Sequence, residues 1–182
     1  MAKKFGEMIY LGSFDSTNIK EVSNIYLKTK YLIIKAEEID PLNSKTYLQP
    51  RLECFQAFDH LMCAVASENA SLDLDNVKKH TATGFYDAAD WVIRLIKFRI
   101  AKEIKRYSDV VILEAFPDYY ETVLTDVEGL TDEITAMRMS KTHEQSDEID
   151  RYVGIIDRAH SHLATVISKK RLGYLIYSRQ FR

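Results

Sequence analysis

Lysine and arginine residues gather in two stretches of this 182-residue chain, and aromatic residues lie among them. Between residues 94 and 106 the only acid is Glu103, and the last 15 residues contain no acid. Each stretch therefore has a net charge of +5. Cations beside aromatic rings neutralise phosphates and stack bases. The side chains predicted to bind phosphate or nucleic acid are Arg94, Arg99, Lys102, Lys105, Arg106, Lys169, Lys170, Arg171, Tyr174 and Arg179.

The remaining charge indicates a local affinity rather than a general one. The formal net charge is −2, so the whole chain is not attracted to polyanions. Residues 118–150 carry ten acids against two cations. This acidic segment is either a solvated face or a contact for the basic end of another copy. The basic stretches have a structural alternative too, because a helix dipole favours cations in its last turn.

Acids and histidines that could hold a metal or transfer protons are sparse. A di-metal bundle site needs an acid and a histidine three residues apart on each of two helices, and Asp157 with His160 is the only such pair. We therefore expect no metal and no cofactor. A second group, on neighbouring predicted helices, forms either a polar network or an acid/base pair. Its members are Asp59, His60, His80, Asp87 and Asp90.

Other motifs of catalysis are missing from the sequence. The chain has no glycine-rich phosphate loop, no Gly-x-Ser-x-Gly elbow and no Cys-x-x-Cys pair. Cys54 and Cys63 lie nine residues apart on one predicted helix, about 180° apart around its axis, so they cannot pair. We expect both to be buried, reduced thiols. These observations favour a protein without catalytic activity.

One motif, Arg138-Met139-Ser140-Lys141-Thr142-His143, falls in the polar interval between two predicted helices. An all-helical domain of this length with such a motif at an interhelical turn resembles the HEPN superfamily. The resemblance implies a dimer that cleaves RNA without a metal, in a bacterial or phage conflict system. It also implies that Arg138 binds the scissile phosphate and that His143 transfers a proton to or from a ribose hydroxyl. The chain departs from the usual pattern by placing Met139 directly after the arginine.

Helical periodicity dominates the elements that must position these residues. From Asn76 to Arg106 there is no proline and one glycine, and a stripe of residues spaced by four and three follows a helix about 45 Å long. We expect Trp91, in the middle of this stripe, to be buried. The stripe consists of Val77, Thr81, Gly84, Ala88, Trp91, Leu95, Phe98 and Lys102.

Capping and breaking residues divide the rest of the chain. A helix capped by Ser16 or Thr17 should run to about Ile39, and a second should begin near Pro50. The second carries Leu52, Phe55, Phe58, Met62, Val65 and Ala66 at helical spacing. Two further long helices follow residue 118, separated by a turn at 140–146, and a short helix is predicted over 110–116. If the helices from 76, 118 and 143 run up, down and up, the two basic stretches meet at one end.

The predicted fold is therefore all-α: an antiparallel long-helix bundle of four to five helices, with residues 16–182 as a single domain. Residues 1–15 precede it as a short arm or strand with several large apolar side chains. We find no signal-peptide pattern and no uncharged apolar stretch of 18 residues, so we expect a cytoplasmic protein.

The leading functional interpretation is a non-catalytic interaction protein that self-associates. Its basic end would contact RNA or DNA, a nucleotide or an acidic partner surface. The alternative is a metal-independent HEPN-type ribonuclease.

Overall fold

The computed structural model describes residues 16–41, 48–66, 70–139 and 146–180. These ranges are helical apart from short connections and contain no strand, which confirms the all-α prediction. The predicted arm, residues 1–15, lies outside them. The helices are α1 (Ser16–Ile39), α2 (Gln49–Ala66), α3 (Ala70–Ile104), α4 (Asp109–Ala115), α5 (Thr125–Met139) and α6 (Ser146–Gln180). A π-helical segment, Tyr119–Leu124, leads directly into α5.

Most helix boundaries follow local sequence rules. Pro50 is the second residue of α2, where its missing N–H has no intrahelical partner to lose. Pro117 lies between α4 and the π-helical segment. The long helix α3 begins at Ala70, six residues earlier than predicted at Asn76. The added residues contain no helix breaker. The carboxylate of Asp73 in the first turn stabilises the helix through its attraction to the positive end of the helix dipole.

Helices α3 and α6 run in the same direction. The rings of Tyr86 and Tyr152 are 5.3 Å apart, and further along both helices Lys170 donates a hydrogen bond to Glu103. Both contacts join a residue of α3 to one of α6, in the same order along the chain. The C-terminal parts of the two helices therefore lie side by side.

Side-chain contacts also set the directions of the other long helices. On α1, Lys28 lies 2.6 Å from Asp150 of α6. About two turns later on both helices, Lys35 donates a hydrogen bond to Asp157, so α1 is parallel to α6. The antiparallel α5 places Glu133 beside Arg151, 2.8 Å away. Helix α2 is antiparallel to α3, to which it is joined by residues 67–69.

The main core is formed where α3 and α6 pack with α1 and α5. Phe85, Tyr86 and Tyr152 meet edge to face at its centre, and Leu32 of α1 is fully buried. Trp91 is 8% exposed, as predicted.

The predicted stripe on α3 does not stay buried to its end. Phe98 is 62% exposed, and Lys102 is exposed as well. In their place Ile96, Ile100 and Glu103 turn inward. The stripe drifts because its alternating spacing of four and three gives 3.5 residues per turn, whereas a straight helix has 3.6.

Helix α2 packs on α3 through small residues rather than through its bulky apolar ones. Gly84 of α3 permits the approach, because a Cβ atom there would lie 3.1 Å from Glu53 Cβ and 3.2 Å from the carbonyl oxygen of Pro50. Ala57 and Ala64 are buried on the same face. Five of the six apolar residues noted in the sequence are exposed: Leu52, Phe55, Phe58, Met62 and Ala66.

The two thiols differ in exposure. Cys54 is half-buried, and Cys63 is exposed, so the prediction of two buried cysteines is wrong for Cys63. In the described ranges, no helix is both long and apolar enough to cross a lipid bilayer.

Candidate functional site

The candidate site is the end of the molecule at which α3 finishes beside the last third of α6. We call it the basic end; its described cations are Arg99, Lys102, Lys105, Arg106, Lys169 and Lys170. The parallel course of the two helices brings these residues together, although they are more than 60 positions apart in sequence.

One buried acid, Glu103, lies within the basic end and joins its two halves. Its carboxylate accepts hydrogen bonds from Arg99 Nε, at 2.9 Å, and from Lys170 Nζ of the neighbouring helix. The Glu103 side chain is only 7% exposed. Burial alone would raise the pKa of Glu103, but the hydrogen bond and charge of Lys170, with Arg99 and Arg106, hold that pKa below its usual value. Glu103 therefore stays ionised and fixes α6 against α3.

Three further cations project from the end of α3 with no such partner. Lys102, Lys105 and Arg106 are exposed, and none has a carboxylate within ion-pair distance among the residues that the structure describes. The Lys105 backbone N–H still donates to the Ala101 carbonyl at 3.0 Å, and Arg106 follows in the turn after α3, so the three are close along the chain. They present three neighbouring positive charges to solvent at the C-terminal end of a helix, where the dipole favours them.

Two aromatic rings lie beside the cations. Lys169 Nζ is 5.8 Å from the centre of the Phe116 ring, within the range of a cation–π interaction. Tyr107 is half-buried, and its ring packs 3.7 Å from the position a side chain at Gly173 would occupy. A Cβ atom at Gly173 would make only an ordinary van der Waals contact with this ring, so Tyr107 packs directly against α6.

The other residues predicted to bind phosphate or nucleic acid lie farther from the basic end or have no described side chain. Arg94 is exposed, twelve residues before Arg106 and so about 18 Å away along the helix. Its Nε donates to the Asp90 carbonyl at 3.3 Å. Arg171, Tyr174 and Arg179 belong to α6, but their side chains lie outside the described part of the structure.

The Arg138 and His143 motif also falls outside what the structure describes. Arg138 is in the last turn of α5, without a described side chain, and His143 lies in the undescribed interval 140–145. Their geometry and their proposed roles in RNA cleavage therefore remain predictions.

Histidines and acids do meet between α2 and α3, although not in the predicted combinations. His80 Nδ1 lies 2.8 Å from Glu53 Oε2, and His60 Nδ1 lies 3.5 Å from Asp73 Oδ1. The two imidazole rings stack with centres 5.2 Å apart. The acids expected from the sequence were instead Asp59, Asp87 and Asp90. Both observed pairs are centred between Ala66 and Ser67, where α2 ends, so an antiparallel register about that point would have identified them.

The cluster between α2 and α3 contains no hydroxyl or thiol in hydrogen-bond contact with a histidine, within the described ranges. Asp157, the acid of the predicted Asp-x-x-His pair, accepts hydrogen bonds from Tyr31, at 2.8 Å, and from Lys35. Burial and the Lys35 charge lower the pKa of His160. Among the described residues, no three histidine, cysteine or acidic side chains are placed to hold a metal ion.

Comparison with protein-family models, with curated proteins and with solved structures finds no match to this chain.

Proposed function

We propose that this protein is a non-catalytic interaction protein whose basic end binds a polyanion, with single-stranded nucleic acid as the leading ligand. The observation that carries the proposal is the meeting of two basic segments around one buried acid. Cations close together on a rigid surface bind phosphates by releasing condensed counterions, so that no chemical step is required. A nucleotide or an acidic protein surface would use the same charges.

The geometry gives different roles to the cations. Arg99 and Lys170 are committed to Glu103 and hold the two helices together. Lys102, Lys105 and Arg106 at the end of α3, with Lys169 on α6, are the side chains left to contact phosphates. Phe116 lies beside Lys169, and half-buried Tyr107 directly follows Arg106 in the chain; such rings provide stacking surfaces for bases.

The experiment compares two triple variants of equal charge. In the first, Lys102, Lys105 and Arg106 are replaced by glutamine; in the second, the control, Lys20, Lys30 and Lys79 are replaced. The control lysines are also exposed, lie on α1 and α3 away from the basic end, and have no ion-pair partner among the described side chains. Both variants lose three positive charges, so a difference between them reports location.

Binding of a labelled single-stranded oligonucleotide is measured across a range of salt concentrations. Each lost phosphate contact makes the negative slope of log K against log salt shallower by about 0.7, so loss of all three makes it shallower by about 2 and weakens binding about 100-fold at 0.1 M salt. The control variant should retain the wild-type slope. Equal slopes in all three proteins would show that these cations do not contact the ligand and only interact favourably with the dipole of α3.

Self-association belongs to the same proposal, because residues 118–150 carry a strong negative charge that complements the basic end. If a second copy is the partner of the basic end, the first triple variant should become monomeric in sedimentation while the control does not. An oligomeric state that is insensitive to both variants and to salt would contradict this contact.

A further inference from the structure

An apolar groove of about 890 Å³ lies between α1, α2 and α3, on a surface distinct from the basic end. Its walls include Ile19, Tyr26 and Ile34 of α1 and Phe55, Phe58 and Leu61 of α2. The two phenylalanines are 67% and 57% exposed. Nearby Leu52 and Met62 are about half exposed, so the apolar surface continues beyond the groove.

This surface is large for a protein that leaves it in water. At about 200 Å² for a whole aromatic side chain, the two phenylalanines alone expose on the order of 250 Å². With the neighbouring apolar residues, the patch reaches the few hundred Å² that mark a binding surface. Helix α2 is responsible, since it turns its small residues to α3 and its bulky residues outward.

We propose that residues 5–14 of the same chain occupy this groove. Their sequence, Phe-Gly-Glu-Met-Ile-Tyr-Leu-Gly-Ser-Phe, contains six large apolar side chains and one charge. These residues lie outside the described part of the structure. One residue, Asp15, separates them from α1, whose first described side chain, Ile19, lines one end of the groove. The segment is thus attached beside the surface that it fits.

The lengths of the segment and the groove agree. Along α1 the groove extends from Ile19 to Glu37, which is about 27 Å at the rise of an α-helix. Ten residues span at most about 33–36 Å when extended. A segment that turns back at Ser16 and follows α1 can therefore cover the whole groove.

Attachment also favours this occupant over a second copy. A short tether gives its segment an effective concentration in the millimolar range. Another copy in a micromolar solution would compete at a concentration about a thousandfold lower. The groove should therefore be filled within each chain, independently of protein concentration.

The two cysteines provide the test. Cys54 lines the groove, whereas Cys63 is exposed and does not line it, so alkylation of Cys63 is an internal control. Burial, with the charge of Glu53, raises the pKa of Cys54, and for this reason each thiol is compared only with itself across variants. The variant is the full-length chain with Met8, Ile9, Leu11 and Phe14 replaced by serine.

We expect Cys54 to react at least about tenfold faster in this variant, because four buried apolar contacts would be lost. The Cys63 rate should not change. A synthetic peptide of residues 4–15 should restore protection of Cys54, whereas a scrambled peptide should not. The milder variant Ile9→Ser with Leu11→Ser gives the same comparison if the fourfold variant fails to fold.

Two results would overturn the proposal. One is a Cys54 rate that is the same in wild type and variant. The other is protection that rises with protein concentration equally in both proteins, which would assign the groove to a second copy.

Discussion

At the end of α3, a single buried carboxylate determines which positive charges remain for a ligand. Glu103 draws Arg99 and Lys170 into ion pairs, while Lys102, Lys105 and Arg106 stay in solvent. Without Glu103, two partly buried cations would face each other with no neutralising charge between them. Glu103 lowers the net charge of the basic end, but it also stabilises the packing of α6 against α3 there.

Replacing this acid tests the ion pairs through pH. Because the folded pKa of Glu103 is below the usual 4.5, its ionised form stabilises the fold above pH 4.5, and this contribution is lost as the pH falls through the folded pKa. Glu103→Gln should cost about 1.5–3 kcal/mol at pH 7, since it removes charged hydrogen bonds. In urea unfolding the cost should shrink below pH 4.5. A cost independent of pH would refute the ionic role, and exposed Glu114→Gln is the control.

Arg138 and His143 permit a test of catalysis at the residue scale. If the HEPN-like interpretation is right, His143→Ala should reduce EDTA-resistant RNA cleavage about 10²- to 10⁴-fold, with Arg138→Ala nearly as severe. Our proposal predicts that the wild type has no cleavage that depends on His143. The free energy of unfolding of both variants, measured by thermal denaturation, should stay within about 1 kcal/mol of the wild-type value. Reproducible cleavage that disappears in His143→Ala would establish an enzyme.

The sequence predicted which cations lie at the basic end, but not which of them form ion pairs with Glu103 and which remain exposed to solvent. Their number and spacing are visible in the chain, and the expected parallel course of two long helices brought them together. The pairing of Lys170 with Glu103 depends on the axial offset and rotation of α6 against α3, which the sequence of neither helix specifies alone.

The helices themselves were predicted well where breakers and caps punctuate the sequence. The bounds of α1 and α4 lie within one residue of the expected ones. For α2 the sequence showed apolar residues at helical spacing but no buried face, because periodicity shows which residues share a face and not which face packs. Gly84 on α3 selects a close approach by small residues, and this leaves Phe55 and Phe58 outside. Two neighbouring helices must be considered together to recognise this.

The close contact between α2 and α3 can be tested by substituting two helical glycines, Gly84 inside the contact and Gly129 outside it. A Cβ atom at Gly129 of α5 would meet no described atom within 4 Å, so Gly129→Ala should stabilise the protein by about 0.5–1 kcal/mol through helix propensity. Gly84→Ala should lose this gain, and Gly84→Val should cost about 1–3 kcal/mol by overpacking against α2. Chemical denaturation measures all three. Equal gains at both glycines would contradict the close approach.

Across the whole molecule, the structure separates two surfaces of opposite character. The apolar groove lies among α1, α2 and the N-terminal half of α3, whereas the basic end lies where α3 and α6 finish. The long helix α3 contributes to both. A ligand at the basic end and an occupant of the groove can therefore be studied by variants that do not affect each other, because the two sets of side chains are not in contact.

The central claim, that a polyanion binds at the basic end, is tested most directly by mapping where it binds. Backbone amide signals of the wild-type protein can be followed by nuclear magnetic resonance during titration with a single-stranded oligonucleotide. Our account predicts that the largest shifts occur together in residues 102–107 and 169–173 and reverse at high salt. An absence of shifts, or shifts confined to α1 and α2, would contradict it.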